Sequence, residues 1–129
     1  MWTMRLPRAA FGAAVLLVSA AVTEAQPRSA SVSVTQPSPE TVVLLDAGER
    51  FDLTDIVTVP LFGTGDGIIV RFGSRVRLVV PTRSSVHLVS PIRFVGPGSV
   101  TVSCLRCRNA GNDLFDVAVT VSGALSRTE

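Results

Sequence analysis

The stretch Phe115-Asp-Val-Ala-Val-Thr-Val121 decides the fold class, because its apolar residues alternate with polar or small ones. A repeat of two residues is that of a β-strand with one buried face, whereas one face of a helix repeats every 3.6 residues. The stretch therefore predicts a strand. Its buried face would consist of Phe115, Val117, Val119 and Val121.

A second alternating stretch, Val100-Thr-Val-Ser-Cys104, stands upstream of the first. The segment Asn109-Ala-Gly-Asn-Asp113 lies between the two stretches, and its residue types favour turns. Two alternating strands joined by a turn are typical of a β-hairpin. We therefore expect the last two strands to form a terminal hairpin.

Shorter apolar or alternating runs, separated by Gly, Pro, Asp and Ser, occupy the middle of the chain, and no window after residue 25 has helical spacing. This pattern predicts an all-β antiparallel sandwich of about seven or eight short strands. The runs are 31–35, 41–45, 49–53, 68–72, 75–80 and 85–90. The core residues that we expect are Phe51, Leu53, Val76, Leu78, Val100, Val102, Phe115, Val117, Val119 and Val121.

The N-terminal residues 1–25 have the features of a cleaved signal peptide. Arg5 and Arg8 precede an apolar run over 9–22 that is too short to span a bilayer, and small residues suited to cleavage follow it. The mature chain would begin at Gln26 and would have no transmembrane span. These features predict that the protein is exported.

The mature chain divides into three parts. We expect a flexible segment with an edge strand over 26–40, because three prolines flank a short alternating run there. The sandwich itself is expected over 41–124, and a disordered tail over 125–129. The chain after residue 25 is long enough for one modest core and too short for two.

Charge is distributed unevenly along the chain. The acids of residues 40–66 precede a segment, from Gly67 to Asn112, in which every charged residue is an arginine. Such asymmetry predicts either a polyanion-binding face or an acidic segment that lies beside the basic one and neutralises it. Nucleic acid is disfavoured, because export would remove the usual partner. The candidate anion-binding residues are Arg71, Arg75, Arg77, Arg106 and Arg108; Arg75 and Arg77 would share an exposed face opposite Val76, Leu78 and Val80.

The closing passage Gly96-Pro-Gly-Ser-Val-Thr-Val-Ser-Cys104, with its Asn- and Gly-rich turn and final strand, resembles the last two strands of bacterial immunoglobulin-like domains. Similarly, Asp46-Ala-Gly-Glu-Arg-Phe-Asp-Leu-Thr-Asp55 looks like the second strand of cadherin-like domains. The resemblance covers the mature chain at the level of pattern, and many sandwiches share these motifs. It implies an immunoglobulin-like β-sandwich that binds or adheres rather than catalyses.

Cys104-Leu-Arg-Cys107 is a Cys-x-x-Cys spacing without the βαβ context of a redox centre and without a second pair for zinc. In an unbroken strand the two Cα atoms would lie about 10 Å apart, beyond disulfide reach. A bulge or early turn near Leu105 would bring them together. A local disulfide, reduced or intermolecular thiols, and redox or metal use all remain alternatives at this point.

Two further site types have candidate residues. Cadherin-like domains bind calcium through clustered acids; Asp52, Asp55 and Asp66 lie in comparable positions, but the dense Asp motifs are absent, so solvated loop acids are favoured. His87 is the only histidine and could form a triad only with Ser84 or Ser85 and a distant Asp. We therefore predict neither a metal nor a catalytic site.

Taken together, these features predict an exported, non-enzymatic binding, adhesion or structural module without a cofactor. It would be secreted, periplasmic or at the cell surface, with a protein or glycan partner. The alternative is an exported polyanion-binding protein that uses the Arg71–Arg108 segment to bind an acidic glycan or a lipid headgroup.

Overall fold

The computed structural model describes residues 25–108 and 114–127. The expected signal peptide apart from Ala25, the expected turn at 109–113 and the last two residues of the chain lie outside the described residues. The strands are β1 Gln26–Val34, β2 Glu40–Leu45, β3 Glu49–Phe62, β4 Gly67–Phe72, β5 Arg75–Val80, β6 Ser84–Val95, β7 Gly98–Leu105 and β8 Asp116–Arg127. The described residues contain no helix that is long and apolar enough to cross a bilayer.

The eight strands form two four-stranded antiparallel sheets packed face to face. We call the sheet with strand order β1-β8-β3-β6 the first sheet, and the sheet with order β2-β7-β4-β5 the second sheet. Buried Val, Leu, Ile and Phe side chains from both sheets make one core. The predicted all-β sandwich is therefore confirmed.

The strand pairs are nested around the turn at Gly73 and Ser74. β4 pairs with β5, β3 with β6, β2 with β7 and β1 with β8, so the first strand before the turn pairs with the first strand after it, the second with the second, and so on. The eight strands thus follow the path of one long antiparallel hairpin that is folded into two sheets. Two further pairings complete these sheets: β3 with β8 in the first sheet, and β4 with β7 in the second. This is the double Greek-key arrangement of a jelly roll.

The terminal hairpin predicted from the sequence is wrong. β7 lies in the second sheet between β2 and β4, whereas β8 lies in the first sheet between β1 and β3. In immunoglobulin domains the last two strands are neighbours in one sheet. The resemblance therefore extends to the two-sheet architecture but not to the strand order. Both strands bury the apolar face that their alternation predicts, against partners far away in the sequence.

The two ends of the chain are more regular than the sequence suggested. β1 pairs with β8 over all nine of its residues, so the expected flexible segment contains a complete edge strand. β8 continues to Arg127 instead of ending at residue 124, because Leu125, Ser126 and Arg127 pair with the first residues of β3. An ion pair of 2.7 Å between Arg127 and Glu49 closes that end of the sheet.

Eight of the ten predicted core residues are buried; the exceptions are Val76 and Leu78. Leu78 is partly buried against the core, and Val76 is 54% exposed. The cause is a bulge, in which Val70 faces Leu78 but Arg71 faces Val76, so that Arg77 is an extra residue in β5. The bulge places Val76 on the outer face of the second sheet. The largest core side chain not predicted from the sequence is the fully buried Phe94 of β6.

Candidate functional site

The five arginines proposed for anion binding are divided between two ends of the second sheet. Arg75 starts β5 opposite Phe72 at one end of β4. Arg106 and Arg108 follow Leu105, which pairs with Gly67 at the other end of β4. The six residues of β4 separate these ends by about 17 Å. The described residues therefore do not form one basic patch from this set.

Arg71 and Arg77 use their guanidinium groups within the fold. Arg71 lies on the outer face of β4 and donates a hydrogen bond of 2.8 Å to the hydroxyl of Ser103. The guanidinium carbon of Arg77 lies 5.1 Å from the centroid of the Phe94 ring, at the edge between the sheets. The side chain of Arg77 remains exposed but covers a core aromatic ring, which sequence reasoning did not predict.

We expect Arg77→Ser to lower the free energy of unfolding by about 0.5–1 kcal/mol, because it removes a cation–π contact at an exposed site. Arg75→Ser is the matched control and should change the stability by less than about 0.5 kcal/mol. Urea denaturation followed by circular dichroism measures both. Equal effects of the two substitutions would contradict the stacking of Arg77 on Phe94.

Several acids of the 40–66 segment neutralise arginines. Asp52 accepts a hydrogen bond of 2.9 Å from Arg93 and lies 3.7 Å from Arg50, while Asp66 lies 3.1 Å from Arg106. Folding thus places acidic and basic parts of the chain side by side. Exposed pairs of this kind contribute about 0–1 kcal/mol each, so they balance charge more than they stabilise the fold.

The acids weighed for calcium do not converge. Asp52 and Asp66 contact arginines, and Asp55 contacts His87. Within residues 25–108 and 114–127 no three His, Cys, Asp or Glu side chains come together as a metal would require. The arrangement is that of paired surface carboxylates.

Two carboxylates have a pKa below the ordinary value. The pKa of Asp55 is lowered chiefly by its hydrogen bond with His87 and next by that from Thr54; the pKa of Glu49 is lowered chiefly by the backbone N–H of Asp46 and next by Arg127. Because the folded pKa is depressed, any stability that these groups contribute is present above their unfolded pKa. It is lost as the pH falls through the folded pKa.

His87 and Asp55 form an exposed pair, with Nδ1 of the imidazole 2.8 Å from Oδ1 of the carboxylate. The serines weighed for a triad lie elsewhere: Ser84 bonds to Thr58 and to the carbonyl of Pro81, and Ser85 faces Val57. Among the described residues no hydroxyl is bonded to this imidazole. The pair has the histidine and the carboxylate of a catalytic triad, but among the described residues no serine hydroxyl is bonded to the imidazole.

Cys104 and Cys107 are joined by a disulfide, with their Cα atoms 5.7 Å apart. The chain turns between them because Arg106 adopts a left-handed conformation, with φ of 53°. Directly beside this turn, the N–H of Asp66 donates to the carbonyl of Leu105, and Thr64 pairs with Arg108. The disulfide therefore fixes a turn at the end of β7, beside the loop that leads into β4.

The second half of β3 exposes apolar side chains on the outer face of the first sheet. We call Val57, Val59, Leu61 and Phe62 the β3 strip; their exposed fractions are 39, 42, 60 and 49%. Thr58, which lies between the two valines, is instead 1% exposed and donates to the carbonyl of Pro81. The usual pattern of apolar residues inside and polar residues outside is therefore inverted.

A bulge produces this inversion. Leu53 faces Gly123 and Asp55 faces Ser122, so Thr54 is an extra residue in β3. The inward positions consequently shift from odd to even numbers as far as Pro60, and Ile56 and Thr58 face the core. A second register shift, between Pro60 and Phe62, places Phe62 opposite Asp116 on the outer face. Sequence reasoning missed the strip; the Val-Thr-Val-Pro-Leu-Phe run at 57–62 was its only signal.

On the same face, β1 and β8 carry mainly hydroxyls and small side chains beside the strip. The serines of β1 face β8, where the hydroxyls of Ser31 and Thr120 lie 2.7 Å apart and those of Ser29 and Ser122 lie 3.2 Å apart. Val57 faces Thr120 and Val59 faces Ala118. On the β8 side the strip therefore borders small and hydroxyl side chains, whereas Asp116 faces Phe62 and the exposed Asp55–His87 pair lies beyond Val57.

The chain matches no protein-family model, and neither a curated protein nor a solved structure matches it significantly.

Proposed function

We propose that this chain is an exported, non-enzymatic binding module that binds a protein through the β3 strip. The observation that carries the proposal is the inverted β3 pattern, with Val57 and Val59 exposed and Thr58 buried. Exposing these valines and Phe62 to water gives up burial worth about 25 cal/mol per Å² of apolar surface. A contiguous exposed apolar patch is typical of a protein interaction site.

The chemistry of the surface favours a protein over a glycan. Glycans need hydrogen-bonding groups and flat aromatic rings, whereas the strip has aliphatic side chains and one aromatic ring, that of Phe62. The neighbouring strand β8 presents small side chains opposite the valines, Thr120 and Ala118, which suits close packing against another protein surface. A partner surface with an apolar centre would be complementary to the strip.

Export and the absence of catalysis rest on separate support. The features of residues 1–25 favour secretion, and a disulfide is expected in a secreted, periplasmic or cell-surface protein. Among the residues that the structure describes, no hydroxyl is bonded to the imidazole of the exposed His87–Asp55 pair, which supports a non-catalytic surface. Binding, adhesion or a structural role in an assembly would each use the same strip.

Photo-crosslinking tests the proposal. A photoreactive residue at position 59 should capture a discrete partner from the exported proteins of the source cells, and the same residue at position 79 should not. Position 79 is the matched control, because Val79 is 53% exposed on the other sheet. Equal capture from the two positions would overturn the proposal.

Affinity measurements then test the residues themselves. Val57→Ser with Val59→Ser should weaken binding of the captured partner by about tenfold or more, since each valine loses part of its buried apolar area. Val76→Ser with Val79→Ser removes similar side chains from the opposite face and should leave the dissociation constant unchanged. Salt-sensitive retention on heparin that disappears in Arg75→Ser with Arg77→Ser would instead favour the polyanion reading.

A further inference from the structure

The free edge of β1 is an unusually regular surface for strand addition. β1 is the terminal strand of the first sheet and pairs with β8 over nine consecutive residues without a register shift. About half of its backbone N–H and C=O groups must point away from β8, because the ladder groups of an antiparallel strand alternate in direction. Such an edge is a template for another strand.

The other edge strands of the two sheets are interrupted. The pairing of β6 jumps from Ile92 to His87 across a segment that contains Pro91, and β5 carries the bulge at Arg77. β2 has a register shift at Val42. Bulges, proline and charge are the usual devices that keep edges from pairing. Over Ser29–Val34, β1 has no bulge, no proline and no charged side chain.

The sequence of β1 is complementary to itself. The odd-numbered serines lie on the outer face, as the Ser31–Thr120 contact shows, and the fully buried Val34 lies on the inner face. Antiparallel pairing of two identical strands about a twofold axis places odd residues opposite odd ones. Serine therefore meets serine outside, and Ala30 meets Val32 inside.

Charge also permits this pairing. With the axis at Ser31, the Arg28 side chains of the two copies lie about 20 Å apart, beyond the screening length of about 8–10 Å at physiological ionic strength. The segment Ser29–Val34 itself has no charged side chain. No like charges are therefore brought together.

We propose that two copies of this chain associate by antiparallel pairing of their β1 strands near Ser31, so that their first sheets join into one eight-stranded sheet. The pairing satisfies the free backbone groups of both copies. It also places the two β3 strips on the same side of the joined sheet. The proposal does not depend on what the strip binds.

Charge-swap variants at Ser31 test the pairing by sedimentation velocity. The wild-type protein should sediment as a dimer, whereas Ser31→Glu and Ser31→Arg should each sediment as monomers, because like charges then face each other across the axis. An equimolar mixture of the two variants should restore the dimer. General destabilisation cannot produce that restoration, and unchanged circular dichroism shows that each variant is folded.

Ser85→Glu is the control, because Ser85 is exposed on the opposite edge strand of the same sheet. It should leave the dimer intact. A wild-type protein that is monomeric at its highest soluble concentration would overturn the proposal. So would dimerisation that persists in both Ser31 variants, or a mixture of them that stays monomeric.

Discussion

Phe51→Ala is expected to lower the free energy of unfolding by about 3–5 kcal/mol, through lost transfer energy and the cavity that the ring leaves behind. Phe51 is fully buried in β3, the strand that pairs with both β6 and β8. Because β6 and β8 hold β3 on both sides, the residues around Phe51 cannot readily move into the cavity. The loss approaches the whole stability of an ordinary small domain.

Phe62→Ala is the matched control, since it makes the same chemical change at the exposed end of the same strand. It should cost less than about 1 kcal/mol, because Phe62 is 49% exposed. Urea denaturation followed by far-ultraviolet circular dichroism suits this fold, because the described residues contain neither Trp nor Tyr. Equal losses for the two variants would contradict the burial of Phe51 and the exposure of Phe62.

Gly123→Ala is expected to lower the free energy of unfolding by about 1–3 kcal/mol, because overpacking forces backbone to move. Gly123 faces Leu53 at the centre of the first sheet. A Cβ there would meet the carbonyl oxygen of Asp52 and would lie 3.0 Å from Cζ of Phe51. Neither atom can withdraw easily, since one is strand backbone and the other belongs to a buried ring.

Gly73→Asn serves as the control for this glycine. Gly73 has a φ of 60°, which Asn tolerates better than other side chains, and nothing lies within 4 Å of a Cβ at that position. The variant should lose less than about 1 kcal/mol. A Gly123→Ala protein as stable as the wild type would exclude the close approach of β8 to Asp52.

Strand positions and most of the core could be predicted from the sequence, because the face that a strand buries is a local property. Phe115, Val117 and Val119 alternate inward as predicted, whichever strands lie beside them. Which strand each strand pairs with is a different matter, because it is not a local property. Two strands have the same alternation of apolar and polar residues whether they pair in a hairpin or lie in different sheets. The alternation of β7 and β8 therefore does not distinguish these two arrangements.

Bulges account for the errors within strands. An extra residue at Thr54 or Arg77 reverses the faces of everything beyond it, and its position depends on the partner strand. This is why Val76 is exposed against expectation, and why the β3 strip was not predicted. The sequence could not predict that the candidate arginines lie far apart, because their positions depend on which strands pair.

The nested strand pairing constrains the order in which the molecule can be completed. The partners Ser31 and Thr120 are 89 residues apart, and the first sheet has β8 between β1 and β3. Because a ribosome makes β8 after the other seven described strands, β1 and β3 have no strand to join them until β8 has been made. The hairpin of β4 and β5 can form early, but the first sheet can be completed only after β8 has been made.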